Sequence, residues 1–138
     1  MTHASTLQGS DFYDEGSSSW LIEGIADHAG YHGLPVPPAY LWTEARRYIR
    51  ANKWNGDLDP LGFEDDDPDW QITAKYDIGF LAVRRLTEKY GRARVRTFFN
   101  EVVHQGRYHE QAARTAFGVG WAAIGKDVGG SVKRRVGA

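Results

Sequence analysis

The stretch from Gln71 to Tyr90 constrains the fold most. Ile72, Tyr76, Gly79, Phe80, Val83, Leu86 and Tyr90 recur at spacings of three or four, the period of one helix face. Gly91 follows, where a helix-ending glycine belongs. The neighbouring segments repeat the pattern. Leu41, Ala45, Tyr48 and Ile49 share a face of a helix expected from Ala39 to about Ala51. Val95, Phe98, Phe99, Val102 and Val103 share one in a helix from about Ala93 to His104. "YHEQAARTAFG" reads as a short helix closed by Gly118. "WAAIGKDVGGSVKRR" reads as a last helix, weakened by Gly125, Gly129 and Gly130, with a basic final turn that suits the helix dipole. No segment alternates with period two. The expectation is an all-α fold of about five to six helices in a single domain over residues 1–138, with 1–16 as loop and 17–138 as a helical bundle.

Composition narrows the function. Lysine plus arginine is 17 and aspartate plus glutamate is 18, a formal charge of −1, so no large basic field calls for nucleic acid or anionic lipid. Cysteine is absent, so any metal must be held by His and carboxylate. No run reaches the roughly 20 apolar residues of a membrane span. "MTHASTLQGS" has neither the charged nor the apolar region of a signal peptide. The turn-rich stretch from Asn52 to Trp70 carries a dense acidic run, Glu64 to Asp69, expected to be a solvated loop.

A further helix is expected from the serines at 17–19, which offer N-caps, to about Gly30. At about 100° per residue, Trp20, Glu23, Asp27 and Gly30 form one stripe. Leu21, Ile25 and His28 form the opposite one, and Ile22, Ala26 and Ala29 fill a flank. A helix apolar on most of its circumference is a buried helix. An ionised Glu23 inside it costs several kcal/mol, about 3–5, unless compensated. Three compensators are open: arginines such as Arg46, Arg47 or Arg84, several hydrogen-bond donors, or a metal ion.

"WLIEGIAD", Trp20 to Asp27, resembles the W-L-x-E-G-x-A-[D/E] helix of gluzincin-type zinc metallopeptidases. Versions of it occur in aminopeptidases, bacterial peptidase MA-like proteins and plant basic secretory proteins. In that group an H-E-x-x-H helix gives two His ligands and the Glu of this pattern gives the third. His3 lies twenty positions before Glu23, close to the family's spacing of about nineteen from the second His. "MTHAST" then reads as the tail of "HEMTHAST", and the chain is expected to begin inside the zinc motif, through a misplaced start codon or a truncated gene. "YDIGFLAVRRLTEKYG" and the two segments "RVRTFFNEVV" and "RTAFGVGWAAIGKDVGGSVKR" resemble the later helices of the peptidase MA-like proteins.

The resemblance implies the C-terminal helical subdomain of a zincin-like hydrolase. Its zinc ligands would be His3 and Glu23, with Asp27 orienting a liganding imidazole and Tyr76 donating to an oxyanion. Trp20 and Gly24 would line the cleft, and the glycine would let two helices approach closely. Without the H-E-x-x-H helix, Trp20, Glu23 and Tyr76 are expected to border an exposed apolar groove. The first His and the general-base Glu are missing, so this polypeptide alone is expected to be inactive. Zinc is the cofactor of the parent enzyme, and a peptide or protein is the partner. The resemblance implies nothing firm about compartment, since such relatives are commonly secreted or membrane-attached. Two other readings stay open: a non-catalytic helical module that binds a peptide or protein, and a structural domain whose Glu23 and Asp27 are paired with arginines. His28, His32, His104 and His109 read as packed or loop residues.

Overall fold

In a computed structural model the described residues are 20–22, 24–25, 42–58 and 66–138. They are mostly helical, with no strand among them. After a leading helical segment at 20–25, whose residue 23 lies outside the described set, come α1 (Thr43–Arg50), α2 (Asp69–Tyr90), α3 (Arg92–Phe99), a π-helical turn (Asn100–His104), α4 (His109–Phe117) and α5 (Trp121–Val136). No described helix is long and apolar enough to cross a membrane.

α2 is the spine. It packs against α1, α3 and α5, while α4 bridges α3 and α5. Ile78 through Val83 are buried without interruption, which a helix achieves only when it is covered all round. The single stripe expected from sequence is therefore too narrow. Gly79, Phe80, Val83 and Leu86 are buried as read, but Ile72, Tyr76 and Tyr90 are only half-buried. α2 begins at Asp69 rather than Gln71, because Pro68 lies in the extended region (φ −67°, ψ 155°) and its carbonyl accepts from the Gln71 and Ile72 amides at 2.9 and 3.2 Å. α1 begins at Thr43, since Trp42 (φ −100°, ψ 39°) is not helical; the Trp42 ring instead stacks on Phe80 at 5.7 Å.

The helix expected to His104 changes period partway. At its end the Gln105 amide donates to Asn100 at 2.9 Å, a bond across five residues that widens the turn while Val102 and Val103 stay buried. Gly118 closes α4 in the left-handed conformation at φ 77°, as read from sequence. The weakness expected of α5 is offset at Gly129. A Cβ there would come within 2.9 Å of the Gly56 carbonyl oxygen, so glycine lets the 54–58 loop lie directly on the helix.

Side chains tie the ends. Arg46 Nε donates to the Val136 carbonyl at 2.6 Å and Arg50 Nη2 to the Gly137 carbonyl at 3.0 Å, satisfying acceptors that a helix end leaves open. Arg85 grips Asp127 through two bonds of 3.0 and 2.9 Å, linking α2 to α5. The acidic run is not wholly solvated. Asp67 meets Lys75 of α2 at 2.6 Å, with side chains only 9% and 7% exposed.

At the start of α5, Glu110 accepts the Trp121 amide at 2.7 Å and Arg114 Nε at 2.6 Å. The Trp121 amide first, then Arg114, hold the Glu110 carboxyl below its ordinary range. A carboxyl that ionises more readily when folded adds stability above its unfolded titration range. That contribution is lost as pH falls through the lowered native value. Thermal melts should therefore show Glu110→Gln less stable than the parent chain at neutral pH. The gap should close as pH drops below the ordinary carboxylate range of about 4.

Candidate functional site

The leading segment answers part of the question posed by its composition. Trp20, Leu21, Ile22 and Gly24 are buried and Ile25 is half-buried. Burial on several stripes is what the apolar circumference requires. Two devices hold the segment against the rest of the molecule.

The first is a backbone crossing. A Cβ on Gly24 would collide with the Gly79 carbonyl oxygen and come within 2.7 Å of a Val83 methyl; one on Gly79 would lie 2.7 Å from the Trp20 carbonyl oxygen. The segment and α2 thus touch backbone to backbone, at a glycine on each side. Gly24 meets α2, whereas the close approach that the resemblance implies is between the Glu-bearing helix and the H-E-x-x-H helix. Tyr76 lies three residues before Gly79 on α2, hence on the same face, and is half-buried.

The second is an aromatic box. The Trp20 ring lies 6.3 Å from Phe98 of α3, 6.0 Å from His109 of α4 and 6.0 Å from Trp121 of α5. Phe98 and Trp121 stack at 5.5 Å with a 14° interplanar angle, and His109 sits 4.8 Å from Trp121. Within the box, Trp20 Nε1 donates to His109 Nε2 at 3.1 Å. An indole N–H can only donate, so His109 Nε2 is the unprotonated nitrogen. The box is closed. Trp20 is 1% exposed, and the exposed apolar groove expected to run past it is not found there. The reason is that α3, α4 and α5 each contribute a ring to cover the indole. Trp20 and Gly24 are both buried.

A second polar cluster lies at the start of α2. The Lys75–Asp67 pair there is buried. Burial pushes the Tyr48 hydroxyl above its ordinary value, with Lys75 acting to lower it and Asp67 to raise it. Arg47 stacks over the Trp70 ring at 3.8 Å and pairs with Glu44 at 3.6 Å.

His3, Glu23 and Asp27 lie outside the described residues, as do His28 and His32. The described residues bring together Trp20, Gly24 and the face of α2 that carries Tyr76. No three His, Asp or Glu side chains converge among them. From sequence His109 lies in or next to a loop, at the start of the short helix "YHEQAARTAFG". It is buried at 6% exposure, and the one sequence signal for it is indirect: a buried Trp needs an acceptor for its N–H. Comparison of the chain with protein-family models, with curated proteins and with solved structures finds no match.

Proposed function

We propose that the chain is the C-terminal helical part of a gluzincin-type zinc peptidase domain, and that these 138 residues alone do not hydrolyse peptides. The observation that carries this reading is the leading segment. Trp20, Leu21, Ile22 and Gly24 are buried, and the glycine that follows the acid in "WLIEGIAD" stands where any side chain would strike Gly79. A carboxylate built into such a helix calls for a strong compensating charge, and a divalent ion is one.

Zinc takes imidazole nitrogen and carboxylate oxygen. In this reading His3 and Glu23 would hold it, and Asp27 would orient the imidazole. All of these donors lie outside the described residues. Bound zinc would supply an acidified water and a polarised carbonyl. Tyr76, on the α2 face that crosses the leading segment, would donate its O–H to a developing oxyanion. Two protein ligands fall short of the three of a catalytic site, and the sequence contains no H-E-x-x-H.

The test is a zinc titration of the chain against a chelating dye, together with a peptide-hydrolysis assay. Weak 1:1 binding that Glu23→Gln abolishes, with hydrolysis no faster than a metal-free control, is the expected result. Binding unchanged in Glu23→Gln would remove the acid from the site. Reading the DNA upstream of the Met1 codon supplies an independent check, since an in-frame His-Glu pair completes the motif and a stop codon there argues against it.

A further inference from the structure

We propose that Asn55 is a site of spontaneous chemical modification: in the folded chain the Gly56 amide closes on its side chain, and aspartate and isoaspartate form at position 55. The basis lies in the 54–58 loop and is independent of any zinc chemistry. Asn55 is exposed and is followed by a glycine at φ 99°. The Asp57 amide donates to Asn55 Oδ1 at 2.9 Å, and Asn55 Nδ2 donates to Asp57 Oδ2 at 3.3 Å. The first bond closes an Asx turn, which curls the side-chain carbonyl back over the 55–56 peptide. Together the two bonds leave the amide one way to face, oxygen toward the Asp57 N–H and nitrogen toward the Asp57 carboxylate.

The reacting groups then stand where ring closure needs them. The nucleophile is the Gly56 nitrogen, whose N–H donates to no partner among the described residues. Glycine adds no Cβ to crowd the closing ring. The electrophile is Asn55 Cγ, and the oxygen that gathers its negative charge already receives the Asp57 N–H. Lys133 Nζ lies 3.7 Å from where a Gly56 Cβ would stand, and a cation there favours the deprotonated nitrogen. The other two asparagines lack this arrangement. After Asn52, the Lys53 amide is committed to the Tyr48 carbonyl at 3.2 Å. After Asn100, Glu101 lies inside the π-helical turn, where amides belong to the hydrogen-bond ladder.

The reaction consumes only water. The Gly56 nitrogen loses its proton to hydroxide and attacks Cγ; the N–Cγ bond forms as an electron pair moves onto Oδ1. The pair returns, the Cγ–Nδ2 bond breaks, and the departing nitrogen takes a proton from water and leaves as ammonia. Water then opens the five-membered imide. Opening at Cγ leaves aspartate in a normal backbone. Opening at the main-chain carbonyl of residue 55 leaves isoaspartate, whose chain runs through Cβ and Cγ and is longer by one carbon. The loop has little room for that carbon. Trp54 and Leu58 are buried on either side of it, and the Gly56 carbonyl lies against Gly129 of α5. The isoaspartyl form therefore lifts Gly56 from α5.

The experiment incubates the folded full chain at about pH 7 and about pH 9 and maps its peptides by mass. The peptide holding Asn55 is expected to exchange its amide NH2 for OH, about tenfold faster per pH unit, as the deprotonated amide grows. Asn52 and Asn100 should stay intact, and Asn55→Gln should show no change at position 55. Asn55 unchanged over a period that converts it in the same chain unfolded by denaturant would overturn the proposal. Equal conversion at all three asparagines would overturn the role given to the loop. Lys133→Met should slow the reaction severalfold, and an unchanged rate would remove Lys133 from it. The isoaspartyl product, separated by chromatography, should melt below Asn55→Asp, which carries the same charge on a normal backbone. Equal melting temperatures would overturn the loosening of α5.

Discussion

Gly79→Ala is expected to destabilise the chain by about 3 kcal/mol, and Gly24→Ala by at least as much. These are the smallest substitutions available, a single methyl group each. Their effect comes from what the methyl would meet. At Gly79 it would lie 2.7 Å from the Trp20 carbonyl oxygen. At Gly24 it would collide with the Gly79 carbonyl and crowd Val83 at 2.7 Å. The nearest obstacle at each site is a backbone carbonyl, so relief requires the leading segment and α2 to move apart. That separation would pull Trp20 from its box and open contacts of the fully buried Leu21 and Ile22. Gly125 is the control. It lies in α5 with nothing within 4 Å of its added Cβ and without positive φ, so alanine there meets no clash and gains helix propensity. Gly125→Ala should stabilise by about 0.5–1 kcal/mol. Denaturant unfolding of the three variants measures all of this, and loss of the opposite sign between Gly125 and the other two would show that the crossing has room for a methyl group.

The contrast among glycines also marks where sequence reading stopped. A glycine in a helical pattern lowers propensity wherever it stands, and from sequence Gly79, Gly125 and Gly129 differ only in position. What separates them is a partner backbone far away in the chain: Trp20 for Gly79, Gly56 for Gly129, none for Gly125. Local signals fared better. Gly91 and Gly118 ended their helices as read, because a helix end is decided within one turn. The inward faces of α1 and α3 also appeared as expected at Ala45, Tyr48, Ile49, Val95, Phe98 and Phe99. The expected start of α1 at Ala39 lies outside the described residues, and the helix begins at Thr43 because Trp42 is not in helical geometry, its ring packing on Phe80, 38 positions away. The π-helical turn after Phe99 had no residue to announce it. In the candidate site, the need for glycine at position 24 was legible from its motif, whereas the acceptor for Trp20 was not. His109 sits beside polar loop residues in sequence and becomes a core residue only when α4 packs between α3 and α5. Asp67 shows the same limit, since five acidic neighbours in a row from Glu64 to Asp69, apart from Pro68, look alike until one of them finds Lys75.

That pair carries the second large expectation. Lys75→Met should destabilise the chain by about 3–5 kcal/mol, and Asp67→Leu by a similar amount, because each breaks a buried ion pair by removing one of its members. The double substitution should recover most of the loss. The physical argument is that desolvating a carboxylate and an ammonium costs several kcal/mol each, repaid by their contact at 2.6 Å. With both replaced by apolar side chains of similar size, neither cost nor repayment remains. Denaturant unfolding of the four proteins at neutral pH closes this cycle and isolates the coupling between the two side chains. A double variant no more stable than either single one would mean that the two side chains hold the start of α2 through their other contacts and not through each other.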